Sequence, residues 1–192
     1  MSRSFTDYEK DNIRKSLLEA CKQSWTQYGY KKTSVDELCK HAGISKGAFY
    51  LFFESKEALF CEVLCMVQEQ ICDTASEIME KQKDRRGVTE ALKWIYREYD
   101  KNNFLYNADS MDFAIFKNRL SKEQVNKIRE SENRSRQLFL NPPGLKLKAG
   151  GDMAIAVIYS LIMNIRNKDI LPRNHMETFD FMATHLIDNL YE

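Results

Sequence analysis

Apolar residues recur every three to four positions along most of this 192-residue chain, in blocks parted by short polar breaks. That period is the signature of amphipathic helices. In the first block Ile13, Leu17, Cys21, Trp25 and Tyr28 form one stripe, Thr6 and Glu9 make a capping box before it, and Gly29 follows it. A helix is therefore expected from near Asp7 to Gly29. Ser34 and Glu37 make a second capping box, ahead of a narrow apolar face of Val35, Leu38, Cys39 and Ala42. Gly43 suits the left-handed position that ends a helix and reverses the chain. Ile44 then plugs the space between two helices, and Ser45 caps a second short one running from Lys46 to about Phe52. Its Phe49 and Phe53 turn inward, leaving Ser45, Lys46, Ala48, Tyr50 and Phe52 outside. Ser55 caps a long helix from Lys56 to about Lys83, whose stripe continues through Val67, Ile71, Ala75 and Ile78.

The charged stretch Lys83 to Gly87 interrupts the pattern. A helix is expected from near Val88, ending at Asn102-Asn103, with Ala91, Leu92, Ile95 and Tyr99 inward. Ser110 caps a short helix carrying Met111, Phe113, Ala114 and Phe116. Ser121 and Gln124 open a charged helix that ends near Leu140, before Asn141-Pro142-Pro143-Gly144. Met153 to Ile165 is apolar nearly all round, and the last helix aligns Met176, Phe179, Ala183, Leu186, Ile187 and Leu190. The fold class is all-α, and the low Gly and Pro counts (7 and 3) agree. Two final helices with surplus apolar surface predict a homodimer through about 152–167 and 174–191, against a monomer that covers them with its own middle helices.

Two short helices, a glycine turn and a small polar N-terminus on the second form the helix-turn-helix layout, in which the second helix enters the major groove. Ser34 and Ser45 stand at helix starts, where N–H groups attract phosphate. Lys46 and Lys56 add charge, Gly47 and Ala48 permit close approach, and Tyr50 offers a phenol. An ordinary helical hairpin with a solvated surface fits the same pattern. Net charge is +1 overall, but residues 1–56 hold ten Lys/Arg against seven Asp/Glu, which places the positive excess on the helix-turn-helix.

The residues Gly29-Tyr30, Thr33 to Leu38, Ala42 to Tyr50, Phe53 and Ser55 to Leu59 resemble the N-terminal domain of the TetR family of transcriptional regulators, over about Asp7 to Phe60. The resemblance implies a three-helix DNA-binding domain, here 1–54, and a helical ligand-binding and dimerisation domain, here 55–192. It also implies DNA contacts at Thr33, Ser34, Ser45, Lys46, Gly47, Ala48, Tyr50 and Lys56, with Phe52 on the same face. Where the family carries aromatic or His residues after the Tyr, Leu51 and Phe52 stand here, and Leu51 cannot hydrogen-bond. The implied partners are a double-stranded operator, a second copy of the chain and a small-molecule inducer, with the long helix as the lever between ligand and DNA.

Trp94, Tyr96, Tyr99, Phe104, Met111, Phe113, Phe116, Phe139 and Tyr159 make the middle of the chain aromatic. They are candidates to line a pocket for an apolar or aromatic molecule, and equally plain core. Cys61, Cys65 and Cys72 share one face of the long helix, as a thiol or soft-metal sensor would, or as small buried hydrophobes. A DNA-anchored adaptor with a protein partner in place of a ligand is a further reading. His41, His175 and His185 are scattered, and there is no HExxH, GxSxG or Gly-rich phosphate loop, so neither an enzyme nor a cofactor is expected. The polar start Met1 to Asp7 and an apolar run of only Met153 to Met163, short of the ~20 residues that span a bilayer, predict a cytoplasmic protein with no membrane segment.

Overall fold

The computed structural model describes residues 5–108 and 110–192; the leading Met1 to Ser4 lies outside them. Contacts gather into two compact units. One holds the chain up to Met66 together with Asn107–Ile128, and the other holds Val67–Tyr106 with Arg129–Glu192. We call them head and body.

The head opens with α1, Asp7–Lys32. Thr6 and Glu9 form the expected capping box, with Glu9 N–H donating to Thr6 Oγ1 and Thr6 N–H to Glu9 Oε2. Leu17, Cys21 and Trp25 are buried, but Tyr28 is 54% exposed and Tyr30 is buried in its stead. The cause is Gly29, whose φ of 84° breaks the helix and rotates the residues after it out of the stripe's phase. Next come α2 (Val35–His41) and α3 (Lys46–Phe49). Between them Gly43 takes φ 68°, the left-handed turn expected of it. α3 is shorter than its apolar pattern suggests: beyond Phe49 the chain continues in single turns, with Leu51 N–H donating to Ala48 O and Phe52 N–H to Phe49 O.

α4 (Lys56–Lys81) begins after the Ser55 cap and contributes its residues up to Met66 to the head. The head's remaining helix is α6 (Met111–Lys117), capped by Ser110 and followed by the start of α7 (Lys122–Leu140). Its core is aromatic. Phe116, fully buried, sets its ring 5.2 Å from Trp25, 5.4 Å from Tyr30 and 6.1 Å from Phe60.

In the body, α5 (Arg85–Lys101) starts three residues before the expected point. Asp84 caps it by accepting from the Arg86 and Gly87 amides, so the charged break is itself the helix start. α8 (Gly151–Met163) passes into a 3-10 turn, Asn164–Asn167, and α9 (His175–Leu190) closes the chain. α9 buries Phe179, Ala183, Ile187 and Leu190, and Phe179 stacks on Tyr96 of α5 with ring centres 3.7 Å apart. Met153 and Tyr159 of α8 and Phe181 of α9 remain exposed. No helix among the described residues is long and apolar enough to cross a membrane.

Candidate nucleic-acid interface

The site is built from the second and third helices and the turn that leaves them. Ser34 caps α2 by accepting from the Glu37 amide at 3.1 Å, and Ser45 caps α3 by accepting from the Ala48 amide at 3.2 Å. Phe49 and Phe53 are buried, with rings 5.9 Å apart, and they anchor the outer face. Ser45, Lys46 and Gly47 are exposed on that face, and Tyr50 is 54% exposed with its ring edge-on to Phe49. A Cβ on Gly47 would meet nothing closer than Ser45 Oγ at 3.9 Å, so the backbone there is open to close approach. Lys46 pairs with Asp36 of α2 at 2.9 Å in full solvent, and that bond raises its pKa. An exposed pair of this kind is weak and releases its lysine readily to a phosphate.

Three of the expected contact residues are placed differently. Thr33 is 2% exposed and its hydroxyl donates to Gly29 O at 2.8 Å, so its side chain serves the α1–α2 corner. Lys56 turns inward: its Nζ donates to Tyr30 O at 2.5 Å and lies 4.2 Å over the Tyr30 ring, and burial lowers its pKa. Phe52 is half-buried, its ring 6.0 Å from Phe5.

Two functional features lie outside the motif. Arg14 of α1 donates to Phe52 O at 3.0 Å and to Glu62 of α4, with its guanidinium 4.5 Å over Phe53, and so fixes the exit from α3. Leu51, marked in the sequence only by its inability to hydrogen-bond, is 71% exposed beside Tyr50. Nothing local in the sequence announces Arg14, since its partners lie 38 and 48 residues away.

The nine aromatic and Met candidates for a ligand site do not share one lining. Trp94, Tyr96, Tyr99, Phe104, Phe139 and Tyr159 belong to the body, and Met111, Phe113 and Phe116 to the head. Within the body, Tyr96, Phe104 and Phe139 are buried, while Tyr159 is 56% exposed. Burial lifts the Tyr99 phenol to about 12, with Tyr159, Cys72 and Glu132 as charged or ionisable neighbours. Met111 is 82% exposed, and Phe113 and Phe116 pack on Trp25. Two buried polar atoms of the body, Gln68 Oε1 and Trp94 Nε1, have no hydrogen-bond partner. A cleft of about 360 Å³ in the head is lined by Gln23, Ser24, Tyr28, Lys32, Glu37 and His41 and contains none of the nine.

All five cysteines are buried with free thiols. Cys61 donates to Gln124 O at 3.7 Å, and Cys72 lies 3.1 Å from Ser135 Oγ. A hydrogen bond from Cys65 lowers the Cys61 pKa, whereas burial raises that of Cys72. Among the described residues no three His, Cys, Asp or Glu side chains converge as a metal site.

Residues 17–63 match the family model described as bacterial regulatory proteins, tetR family. The chain is 42% identical over 67 residues to YhgD of Bacillus subtilis, named an uncharacterized HTH-type transcriptional regulator; the match covers 35% of each chain, so it spans about a third of that relative. It is 24% identical over 131 residues to the HTH-type transcriptional repressor KstR2 of Rhodococcus jostii, covering 68% of this chain and 63% of that one. The fold is similar to that of the transcriptional regulator FadR from Bacillus subtilis, solved in complex with stearoyl-CoA, with a TM-score of 0.68, 16% identity, and 91% of this chain and 98% of that one covered.

Proposed function

We propose that this chain, a member of the TetR family of transcriptional regulators, is a cytoplasmic, homodimeric repressor, and not an enzyme, that a small apolar or aromatic molecule releases from its operator. The observation that carries the reading is the Ser45-capped α3: Phe49 and Phe53 are sunk into the head, and Lys46, Gly47, Tyr50 and Leu51 are presented outward. That surface suits a recognition helix entering the major groove N-terminus first. Ser34, Ser45, Lys46 and Tyr50 serve phosphates, Gly47 and Ala48 face base edges, and Lys56 and Thr33 act by holding the corner behind them.

Dimerisation through α8 and α9, about 152–167 and 174–191, covers the exposed Met153, Tyr159 and Phe181. It also places two recognition helices on half-sites separated by one or more helical turns, ~34–36 Å each. The division at residues 54/55 into DNA-binding and regulatory parts belongs to this proposal. So does the inducer step, in which a ligand held in the body shifts α4 and changes the spacing of the two heads, with coupling of ~1–3 kcal/mol. FadR, which shares the fold, was solved with stearoyl-CoA, so a long-chain acyl thioester is the first inducer to try.

The test is selection of bound genomic fragments at two salt concentrations. A near-palindrome bound tightly, with affinity falling as salt rises, supports the reading. Weak, sequence-blind binding overturns it in favour of an adaptor that holds a protein partner.

A further inference from the structure

We propose that Asp112 of α6 is a positioning residue for DNA reading, fixing the corner at which α1 hands over to the helix-turn-helix; the inference rests on the DNA-binding reading of the head. The break at Gly29 starts a new helical turn, and the first amides of such a turn have no partner within it. A serine or aspartate at the capping position normally accepts from them. Gly29 has no side chain to do so. Asp112, more than eighty positions along the chain, supplies it: Oδ2 accepts from the Tyr30 amide at 2.6 Å and Oδ1 from the Lys31 amide at 2.8 Å. A Cβ on residue 29 would lie 2.7 Å from Asp112 Oδ2, so the glycine and the distant carboxylate are two halves of one cap. A carboxylate on two amides at a helix start is a strong, charge-assisted arrangement.

The corner leads directly to the reading surface. Thr33 N–H and Thr33 Oγ1 both donate to Gly29 O, at 3.3 and 2.8 Å, and the next residue is Ser34, the cap of α2. The other side of the corner is held as well. Tyr30 Oη donates to Glu57, Arg119 Nη1 lies 3.5 Å from both Tyr30 Oη and Glu57 Oε1, and Lys56 donates to Tyr30 O. Asp112, Phe116 and Arg119 together hold the corner from a segment outside the motif. The tilt of α2, and through it α3, is therefore set by α6.

The experiment compares the full-length wild type with Asp112→Asn and Asp112→Ala. It reads three quantities: amide exchange at Tyr30 and Lys31, affinity for the operator fragment the wild type selects, taken at two salt concentrations per active protein, and the thermal midpoint. Asp112→Ala is expected to speed both amides and weaken operator binding about ten-fold at either salt, since no phosphate contact is lost. Asp112→Asn, which keeps one acceptor, falls between it and the wild type and serves alone should the alanine variant not fold. Faster exchange with unchanged affinity makes the cap merely structural and overturns the proposal, as does undiminished amide protection in either variant. A wild type that selects no fragment overturns the DNA reading itself, while the exchange data still report whether the cap exists.

Discussion

In the head, polar groups answer one another across elements and converge on two places. Asp112, Glu57, Arg119 and Lys56 meet at the corner after α1, and Arg14 with Glu62 meets the exit from α3. In the body, the tight contacts are apolar, as where Phe179 stacks on Tyr96, and the polar ties are dispersed: Lys168 to Asp100 at 2.6 Å, Arg166 to Tyr106 O at 2.8 Å, Tyr191 to Phe139 O at 2.7 Å. The body also buries Gln68 Oε1 and Trp94 Nε1 with no partner. Directional bonds specify one geometry, whereas apolar packing tolerates rearrangement at lower cost. The head is thus built to present a surface unchanged, and the body retains unspent hydrogen-bonding capacity that a ligand can use.

The largest effects should come from the two aromatic cores. Phe116→Ala and Phe179→Ala each remove a fully buried ring and should cost ~3–5 kcal/mol. The chain has two tryptophans, Trp25 in the head and Trp94 in the body, so single-tryptophan variants report on each unit separately. In urea, Phe116→Ala should move the Trp25 transition and Phe179→Ala the Trp94 transition. Equal movement of both transitions by either change would break the distinction between head and body.

What was legible in the sequence follows the same line. Every cap that works over three residues could be read: Thr6 with Glu9, Ser34, Ser45, Ser55, Ser110, and Ser121 with Gln124. So could the inward Phe49 and Phe53, because helical spacing is local. The long-range bonds could not. Asp112 and Arg14 look like any solvated helix charge until the fold brings their partners up. Tyr28 was read as buried because the helix was assumed to keep its phase up to Gly29, and no stripe count reveals that Tyr30 takes its place. The aromatic residues of the middle were legible as apolar but not as belonging to two units, since α6 returns to the head.

Alkaline pH sharpens the comparison at smaller amplitude. Burial, and then the bond to Glu57, raise Tyr30 from its ordinary 10 to about 12, while burial first raises Tyr96 and Tyr99 to about 12. A folded pKa above the unfolded one means these phenols stabilise the fold fully below pH about 10, and that this share is lost as pH climbs towards 12. The slope reaches ~1.4 kcal/mol per pH unit for each group. Tyr30→Phe should remove the head's share and leave the body's, read as the pH dependence of the Trp25 transition. An unchanged dependence would mean that Tyr30 is not the group being titrated.

The smallest effect is the most pointed. Gln68→Met keeps the length of the side chain and deletes a buried acceptor that has no donor. Removing an unsatisfied group should leave stability unchanged or raise it by up to ~1 kcal/mol. Tyr30→Phe makes the same kind of edit in the head, but it strips Glu57 of a donor and should cost ~1–3 kcal/mol below pH 10. Opposite signs from two deletions of one polar group each are what a saturated head and an unsaturated body require. A loss of more than about 1 kcal/mol in Gln68→Met, measured by urea unfolding on the Trp94 signal, would show that Gln68 is engaged. The body would then be as fully committed as the head, and the argument that it holds capacity for a ligand would fall with it.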